Sequence, residues 1–320
     1  MLYILLAPVL FSVMKLYFNL ATYYNIIDRP NERSSHAQVT IRGGGMIYVI
    51  TAIVAVLWHP NYWIFLLGLL IIGIISFIDD KITLSGKIRL IFHLIAVTLM
   101  FFSLDVLSVS PLWTLPLIYI FVIGIINAYN FMDGINGITG SYSLVILIGL
   151  QYINYQEVHF VESDLIWLPI LASLIFLFFN FRKKAKCFAG DVGSISSAFW
   201  IVSLILMIII RTGDYKYILF LSVYGVDTVL TIVHRLFLKQ NIFEAHRLHF
   251  YQILANDLKI PHLIVSIIYS SLQFLIILIV IFIKVNVVAL FGLILFPLIL
   301  AYIILKPILM DKPGSVSFYK

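Results

Sequence analysis

Two adjacent carboxylates end a long apolar run in the first third of the chain. Asp79 and Asp80 follow Ile75–Ile78, and Lys87 comes one short loop later. A carboxylate without a partner is costly beside lipid, so this pair needs cations. The cations are either neighbouring Lys and Arg side chains in a structural role, or a divalent metal and a lysine that serve a phosphate substrate. Further polar clusters favour the second interpretation.

The second cluster begins with Arg42, which precedes Gly43, Gly44 and Gly45 at the start of an apolar segment. Glycine N–H groups ahead of a helix can cradle an anion, and an arginine can hold a phosphate through paired hydrogen bonds. Taken alone, this loop is more typical of a charged hairpin at the lipid headgroups.

A third cluster repeats polar residues every three positions. Asn127, Asn130 and Asp133 can share one face of a helix end, while Gly134 and Gly137 permit a ligand to approach the backbone. Amide and carboxylate oxygens are suitable ligands for Mg²⁺. A polar helix cap accounts for one of these residues but not for the set.

The fourth cluster joins a basic run at 182–186 to Gly190, Asp191, Gly193 and Ser194. We expect residues 190–194 to form a flexible turn whose carboxylate, N–H groups and hydroxyl suit a metal-bound diphosphate. The basic run itself is mostly a topological signal. Cys187 lies between the two, and we expect it to react with maleimide from the cytoplasmic side.

A fifth cluster reads His246, Arg247, Leu248 and His249. Histidines three positions apart can face the same way, which permits a metal site. An anion-binding role is the stronger interpretation, because a diphosphate needs cationic donors.

The elements that position these clusters are membrane helices. The chain has 320 residues, of which 62% are hydrophobic and 11% charged, and its mean hydropathy is +1.07. This composition predicts a single all-α, polytopic integral membrane domain over 1–320, with about eleven transmembrane helices. The expected spans lie near 1–24, 45–60, 62–78, 88–104, 112–128, 138–155, 164–180, 196–211, 217–234, 262–283 and 287–305.

Charge distribution gives the orientation. Most of the 21 Lys and Arg residues fall in loops on one face, which predicts that this face is cytoplasmic, with the N-terminus outside and the C-terminus inside. All five clusters then meet at the cytoplasmic face of the inner membrane. The net charge of +6 fits this bias better than nucleic-acid binding, since no basic stripe or recognition module is present. A single cysteine excludes an intramolecular disulfide.

These motifs, from Asp28 to about Gln252, resemble the polyprenyl-phosphate N-acetylhexosamine-1-phosphate transferase family, which includes the phospho-MurNAc-pentapeptide translocase. The resemblance rests on Asp79-Asp80 with Lys87, on Asn127-x-x-Asn130-x-x-Asp133-Gly134-x-x-Gly137, and on Phe188-x-Gly190-Asp191-x-Gly193-Ser194. The sequence around Arg42 is most similar to that of the branch that initiates O-antigen, common antigen and teichoic-acid units. The translocase's run of three histidines is absent, which argues against a MurNAc-pentapeptide donor.

The resemblance implies a reaction. A lipid-phosphate oxygen would attack the sugar-linked phosphorus of a UDP-N-acetylhexosamine, giving a polyprenyl diphosphate sugar and UMP. Its implied cofactor is Mg²⁺, with Mn²⁺ as a substitute, and its implied partners are the UDP-sugar, undecaprenyl phosphate and, in a homodimer, a second copy. UDP-GlcNAc is the leading donor, and UDP-FucNAc or UDP-QuiNAc is the competitor.

The resemblance also implies residue roles. Asp191 would be the main metal ligand, with Asn130 near it. The residues expected at the nucleoside and phosphates are Phe188, stacked on uracil, and Gly134, Asn136 and Arg42. Those expected to be catalytic are Asp79, Asp80, Lys87, Asp133, His246, Arg247 and His249. The rival from another class is a secondary transporter, with Asp227 as its midplane carboxylate.

Overall fold

The computed structural model describes residues 2–28, 39–242 and 247–310. Within these ranges the chain is a helix bundle, as predicted, with one addition. Strands β1 (Ile27–Asp28) and β2 (Thr40–Ile41) pair antiparallel, with Ile27 opposite Ile41.

Every expected span is helical. The helices are α1 (Leu2–Tyr23), α2 (Met46–Trp58), α3 (Trp63–Ile82), α4 (Gly86–Ser103), α5 (Val106–Val109), α6 (Leu115–Met132), α7 (Ile138–Gln156), α8 (Asp164–Asn180), α9 (Gly190–Thr212), α10 (Ser222–Phe237), α11 (Phe250–Gln252), α12 (His262–Phe282) and α13 (Val287–Met310). Short 3₁₀ segments occur at Pro60–Tyr62, Leu112–Thr114 and Tyr215–Leu221, and a π turn at Ile253–Asp257.

Eight helical segments of the described chain are long and apolar enough to cross a membrane. They contain α1, α3, α4, α6, α9, α10, α12 and α13. Helices α2 and α8 are apolar but have only 13 and 17 residues. The protein is therefore a multi-pass membrane protein, and the count of eleven spans stays a prediction.

Helix α9 is the centre of the bundle. Of its 18 most apolar consecutive residues, 83% are buried, against 17% in α1 and in α13. It packs against α2, α3, α6 and α7. Small side chains make this close packing feasible. The buried hydroxyls of Ser197 and Ser203 donate to the Ser194 and Phe199 carbonyls of the same helix, so they need no partner in the core.

Three helix ends that carry site residues differ from the expected boundaries. Helix α6 continues to Met132, beyond the expected end at 128, so Asn130 lies within the helix. Helix α3 continues to Ile82, so Asp79 and Asp80 lie in its last turn rather than in a loop. Helix α9 begins at Gly190, so Asp191 lies in a first helical turn and the expected flexible turn is wrong. These ends carry polar side chains, so they lie outside the apolar runs from which the spans were predicted.

Candidate active site

Asp80 caps the amino end of α9 from the last turn of α3. Its Oδ1 accepts a hydrogen bond from Asp191 N at 2.9 Å, and its Oδ2 accepts one from Val192 N at 3.1 Å. The first N–H groups of a helix lack partners within the helix and carry partial positive charge, so a carboxylate there satisfies both needs. Gly190 has φ +70°, and a Cβ there would lie 2.5 Å from Asp80 Oδ2. Asp80 therefore fixes the helix end that carries Asp191.

Arg42 bridges two of the carboxylates. Its Nε lies 2.7 Å from Asp80 Oδ1, and its Nη2 lies 3.5 Å from Asp191 Oδ1. Although burial lowers the pKa of the Arg42 guanidinium, Asp80 and Asp191 raise that pKa above its ordinary value. The Tyr17 hydroxyl donates a hydrogen bond to the Arg42 carbonyl at 2.7 Å. The expected phosphate-binding arginine is thus positioned between acidic groups.

Asp79 has different partners from Asp80. Its side chain is only 7% exposed, and its Oδ2 accepts a hydrogen bond from Arg89 Nη1 at 3.2 Å. Its Oδ1 accepts the Leu84 N–H. The Asp79 carboxyl also lies within hydrogen-bonding reach of Asp191. Lys87, the lysine predicted to act with this pair, is exposed in the first turn of α4, and Arg89, two residues later, is the cation that contacts Asp79.

The glycine run after Arg42 is held by backbone pairing. Gly44 N donates to the Phe188 carbonyl at 2.8 Å, and Gly45 N donates to the Ala189 carbonyl at 3.0 Å. The expectation that these N–H groups stay available for an anion is therefore wrong for both glycines. A Cβ on Gly44 would lie 2.4 Å from Cys187 Sγ, so the glycines permit two loops to pack in direct contact.

Cys187 is fully buried at this contact. It forms an isolated parallel bridge with Ile41, and Phe188 N donates to the Ile41 carbonyl at 2.8 Å. Burial raises the pKa of the Cys187 thiol well above its ordinary value. The expectation of ready maleimide labelling is therefore wrong for the folded protein, because the thiol is inaccessible and protonated. Phe188 is half-buried beside it.

Asn130 and Asp133 lie at the carboxyl end of α6 and face the start of α9 and α7. Ser194 Oγ donates to Asn130 Oδ1 at 3.0 Å, which places the amide one helical turn from Asp191. Thr139 Oγ1 donates to Asp133 Oδ1 at 2.6 Å. Burial raises the pKa of Asp133 to about 7.

Two residues expected at the nucleoside pack instead against neighbouring segments. Asn136 is 5% exposed, and its Nδ2 donates to the Arg182 carbonyl at 2.8 Å. A Cβ on Gly134 would lie 2.1 Å from Tyr251 Oη, so this glycine accommodates the tyrosine. Their contact with a nucleoside stays a prediction. Asn180 was not among the predicted site residues. It accepts the Gly137 N–H at 2.7 Å and donates to the Cys187 carbonyl at 2.8 Å, so it joins the two loops.

His249 lies against Asp227, a residue the sequence analysis did not assign to this site. His249 Nδ1 is 3.3 Å from Asp227 Oδ1, and the same oxygen accepts the Phe250 N–H at 2.9 Å. Tyr269 Oη donates to Asp227 Oδ2 at 2.7 Å. The charge of Arg247 acts on Asp257, and His246 lies outside the described residues. Nothing in the local sequence pairs an acid in α10 with a histidine beyond that helix.

The donors around Asp191 suit a hard divalent cation. Among the described residues, no three His, Cys, Asp or Glu side chains converge as a complete metal site. However, the carboxyls of Asp79 and Asp191 adjoin each other, and the Asn130 amide oxygen is near. Two neighbouring carboxylates repel unless a cation or a proton lies between them, and such oxygens are the ligands that Mg²⁺ prefers. The residues present therefore fit Mg²⁺, with substrate phosphates or water completing its coordination.

Comparison with known proteins identifies relatives of this chain. Residues 62–209 match glycosyl transferase family 4. The chain is 30% identical over 251 residues to a probable undecaprenyl-phosphate N-acetylglucosaminyl 1-phosphate transferase of Bacillus subtilis, covering 70% of this chain and 68% of that protein. It is 25% identical over 239 residues to the undecaprenyl-phosphate alpha-N-acetylglucosaminyl 1-phosphate transferase of Thermotoga maritima, covering 72% and 74% of the two chains.

A relative with a different donor sugar in its name is also similar. The chain is 31% identical over 182 residues to the phospho-N-acetylmuramoyl-pentapeptide-transferase of Lactobacillus acidophilus, covering 48% of this chain and 56% of that protein. The region that matches the family, residues 62–209, contains Asp79, Asp80, Asp133 and Asp191. The chain therefore belongs to the polyprenyl-phosphate N-acetylhexosamine-1-phosphate transferases of glycosyl transferase family 4.

Proposed function

We propose that this protein transfers N-acetylglucosamine 1-phosphate from UDP-GlcNAc to undecaprenyl phosphate at the cytoplasmic face of the inner membrane. UMP leaves, and the lipid-linked product starts a surface polysaccharide such as O-antigen in lipopolysaccharide. The observation that carries the proposal is the junction of α3 and α9, where Asp79, Asp80 and Asp191 meet beside Arg42.

This junction is suited to bringing two anions together. When bound, Mg²⁺ would neutralise the diphosphate of the UDP-sugar. Asp191 and Asn130 would hold it, and Arg42 and Arg89 lie on the same carboxylates, close enough to add positive charge around the phosphates. Positioning and charge compensation provide most of the catalysis in such transfers.

In this proposal, Asp79 meets the attacking lipid phosphate. Its carboxylate is bound on one oxygen by Arg89 and on the other by Leu84 N–H. A phosphate near its second pKa of about 6 is already mostly ionised at neutral pH. Orientation of the phosphate and removal of its proton are both compatible with this geometry.

The contacts of Asp227, the carboxylate on which the transporter alternative depends, do not favour that alternative. Within the described residues, Asp227 accepts hydrogen bonds from the Phe250 N–H, the Tyr269 hydroxyl and the Thr231 hydroxyl, and contacts His249. A carboxylate held in this way anchors a protein segment, whereas an ion-coupling carboxylate in a transporter faces a solute pathway.

The test is exchange between UMP and the donor. Exchanging one phosphoanhydride for another leaves the equilibrium nearly balanced, so radiolabelled UMP should enter UDP-GlcNAc only when the purified protein, undecaprenyl phosphate and Mg²⁺ are all present. UDP-FucNAc and UDP-QuiNAc belong in the same panel. Exchange with a 6-deoxy donor but not with UDP-GlcNAc would reject UDP-GlcNAc as the donor and leave the proposed reaction class unchanged. Absence of lipid-dependent exchange with every UDP-N-acetylhexosamine would reject the proposed function.

A further inference from the structure

A buried lysine lies in α13, away from the carboxylates of the proposed site. Lys306 is 3% exposed inside α13, where a charged side chain is costly without a partner. No carboxylate of the described residues lies within ion-pair distance of it. Its Nζ instead donates to Tyr302 Oη and lies 4.6 Å from the centre of the Tyr302 ring.

Tyr302 continues a chain of polar contacts toward α10. Its hydroxyl lies 2.7 Å from Thr231 Oγ1, which in turn lies 3.2 Å from Asp227 Oδ1. The charge of Asp227 also acts on Lys306. Lys306 and Asp227 are therefore a buried cation and anion that interact through two hydroxyl groups.

The far end of this chain is the histidine segment. Asp227 Oδ1 lies 3.3 Å from His249 Nδ1. The Tyr302 ring also packs on Phe250, with ring centres 5.9 Å apart. An ionised carboxylate only accepts hydrogen bonds, so Asp227 keeps a proton on His249 Nδ1 and fixes the direction of the ring.

The histidine segment in turn contacts the last turn of α6 and the loop that follows it. Tyr251 Oη donates to the Phe131 carbonyl at 3.0 Å and packs at Gly134. The His249 and Phe131 rings lie 6.3 Å apart. The end of the polar chain is thereby joined to the segment that carries Asn130 and Asp133.

We infer that Lys306, Tyr302, Thr231 and Asp227 are positioning residues that hold His249 for the transfer reaction, so that the carboxyl-terminal helix sets the geometry of the site. The inference rests on the proposed function. Loss of the partners that orient a metal-binding histidine typically changes activity roughly 10- to 100-fold, and we expect an effect near the lower end for His249.

A double-mutant cycle tests the inference. Tyr302→Phe and Lys306→Met should each lower the UMP exchange rate roughly tenfold, but less than about twofold in a His249→Gln background, because the residue they position is then absent. Thr98 and Tyr119 form a similar pair at 2.8 Å between α4 and α6, so Tyr119→Phe is the matched control, together with the exposed Lys284→Met. Both controls should leave the rate unchanged. Equal losses in the two backgrounds would overturn the inference.

A second readout does not need activity. In ¹⁵N-histidine-labelled protein, the ring signals of His249 are identified by their loss in His249→Gln. Tyr302→Phe and Lys306→Met should shift these signals, whereas Tyr119→Phe should not. Unchanged His249 signals would overturn the inference whatever the exchange rates show. If no donor supports exchange, the proposed function fails and the histidine signals alone decide.

Discussion

Asp79 and Asp80 are neighbours in sequence but have separate environments. Successive residues of a helix project about 100° apart, so Asp80 reaches across to the N–H groups of α9 while Asp79 faces Arg89 on α4. Both carboxylates border Asp191. Of the three, Asp80 is the most enclosed, with a side chain that is 0% exposed. We therefore expect Asp80 to stabilise the fold and Asp191 to act on the substrate complex.

Substitutions that remove charge and preserve shape separate these roles. Asp191→Asn should lower UMP exchange about 10²-fold or more with little change in the thermal unfolding midpoint. Asp80→Asn should lower both, because an amide has one acceptor oxygen and no charge for the end of α9. Asp105→Asn, an exposed change beyond α4, is the control and should affect neither. Near-normal exchange by Asp191→Asn with unchanged Mg²⁺ dependence would contradict its role as a metal ligand.

Asp133 makes the stability of the protein depend on pH. Burial raises its pKa from 3.8 to about 7 in the folded chain. Between these values the folded protein retains a proton that the unfolded chain has lost, so stability should fall as pH rises toward about 7. Asp133→Asn should flatten this dependence, measured as thermal midpoints from about pH 5 to 8 in detergent with a chelator. Parallel curves for the two proteins would contradict it.

At the residue scale, the sequence indicated the acids of the site but not their partners. The motifs placed Asp79, Asp80, Asn130 and Asp191 at one membrane face, and the structure brings them together. The sequence did not indicate that Arg89, rather than Lys87, would contact Asp79. Both residues lie in the first turn of α4, and the crossing angle of α3 and α4 decides which of them faces Asp79.

At the scale of elements, contact between α2 and α9 depends on two glycines. A Cβ on Gly193 would lie 2.7 Å from Gly45 Cα and 2.8 Å from Ala189 Cβ. Backbone and Cβ atoms cannot rotate away as the end of a long side chain can. The two helix starts therefore approach closely only while both positions lack a side chain, and this approach keeps Arg42 beside Asp191.

Gly193→Ala should separate these helices. We expect it to destabilise the fold by about 1 to 3 kcal/mol through overpacking and to reduce UMP exchange. Gly124 in α6 has nothing within 4 Å of its Cβ position, so Gly124→Ala is the control and should be neutral or slightly stabilising. Thermal midpoints and exchange rates of the two variants check this. Equal effects would show that the α2–α9 contact is not limiting.

The apolar pattern predicted the helices better than their ends. The apolar runs include every long helix, because lipid-facing and core-facing residues are both apolar in this chain. They end short of the true bounds of α3, α6 and α9, since Asp79, Asp80, Asn130 and the segment 190–194 carry polar side chains and are nevertheless helical. The start of α9 is capped by Asp80, which lies 111 residues before Asp191, and local sequence does not reveal such a distant partner.

At the scale of the molecule, the proposed orientation follows from charge alone. The basic run at 182–186 separates α8 from α9, and the acidic loop at 156–164 separates α7 from α8. Alkaline phosphatase fused within the acidic loop should be active, because it folds outside, and a fusion within the basic run should be inactive. Green fluorescent protein should give the opposite pattern, with fluorescence at the C-terminus. Reversed signals would reverse the topology and move the proposed site to the outer face.

The cap on α9 also has a consequence for biosynthesis. Asp80 and its partner Asp191 are 111 residues apart, so Asp80 reaches the membrane long before the N–H groups that will bind it exist. At about 5 to 20 residues per second, a ribosome needs roughly 5 to 20 seconds to supply them. During that interval Arg42, which is already synthesised, can pair with the carboxylate, but the two hydrogen bonds from α9 must be replaced by water at the lipid–water boundary. Insertion of the ninth helix is therefore the step at which the first half of the chain exchanges these temporary partners for permanent ones.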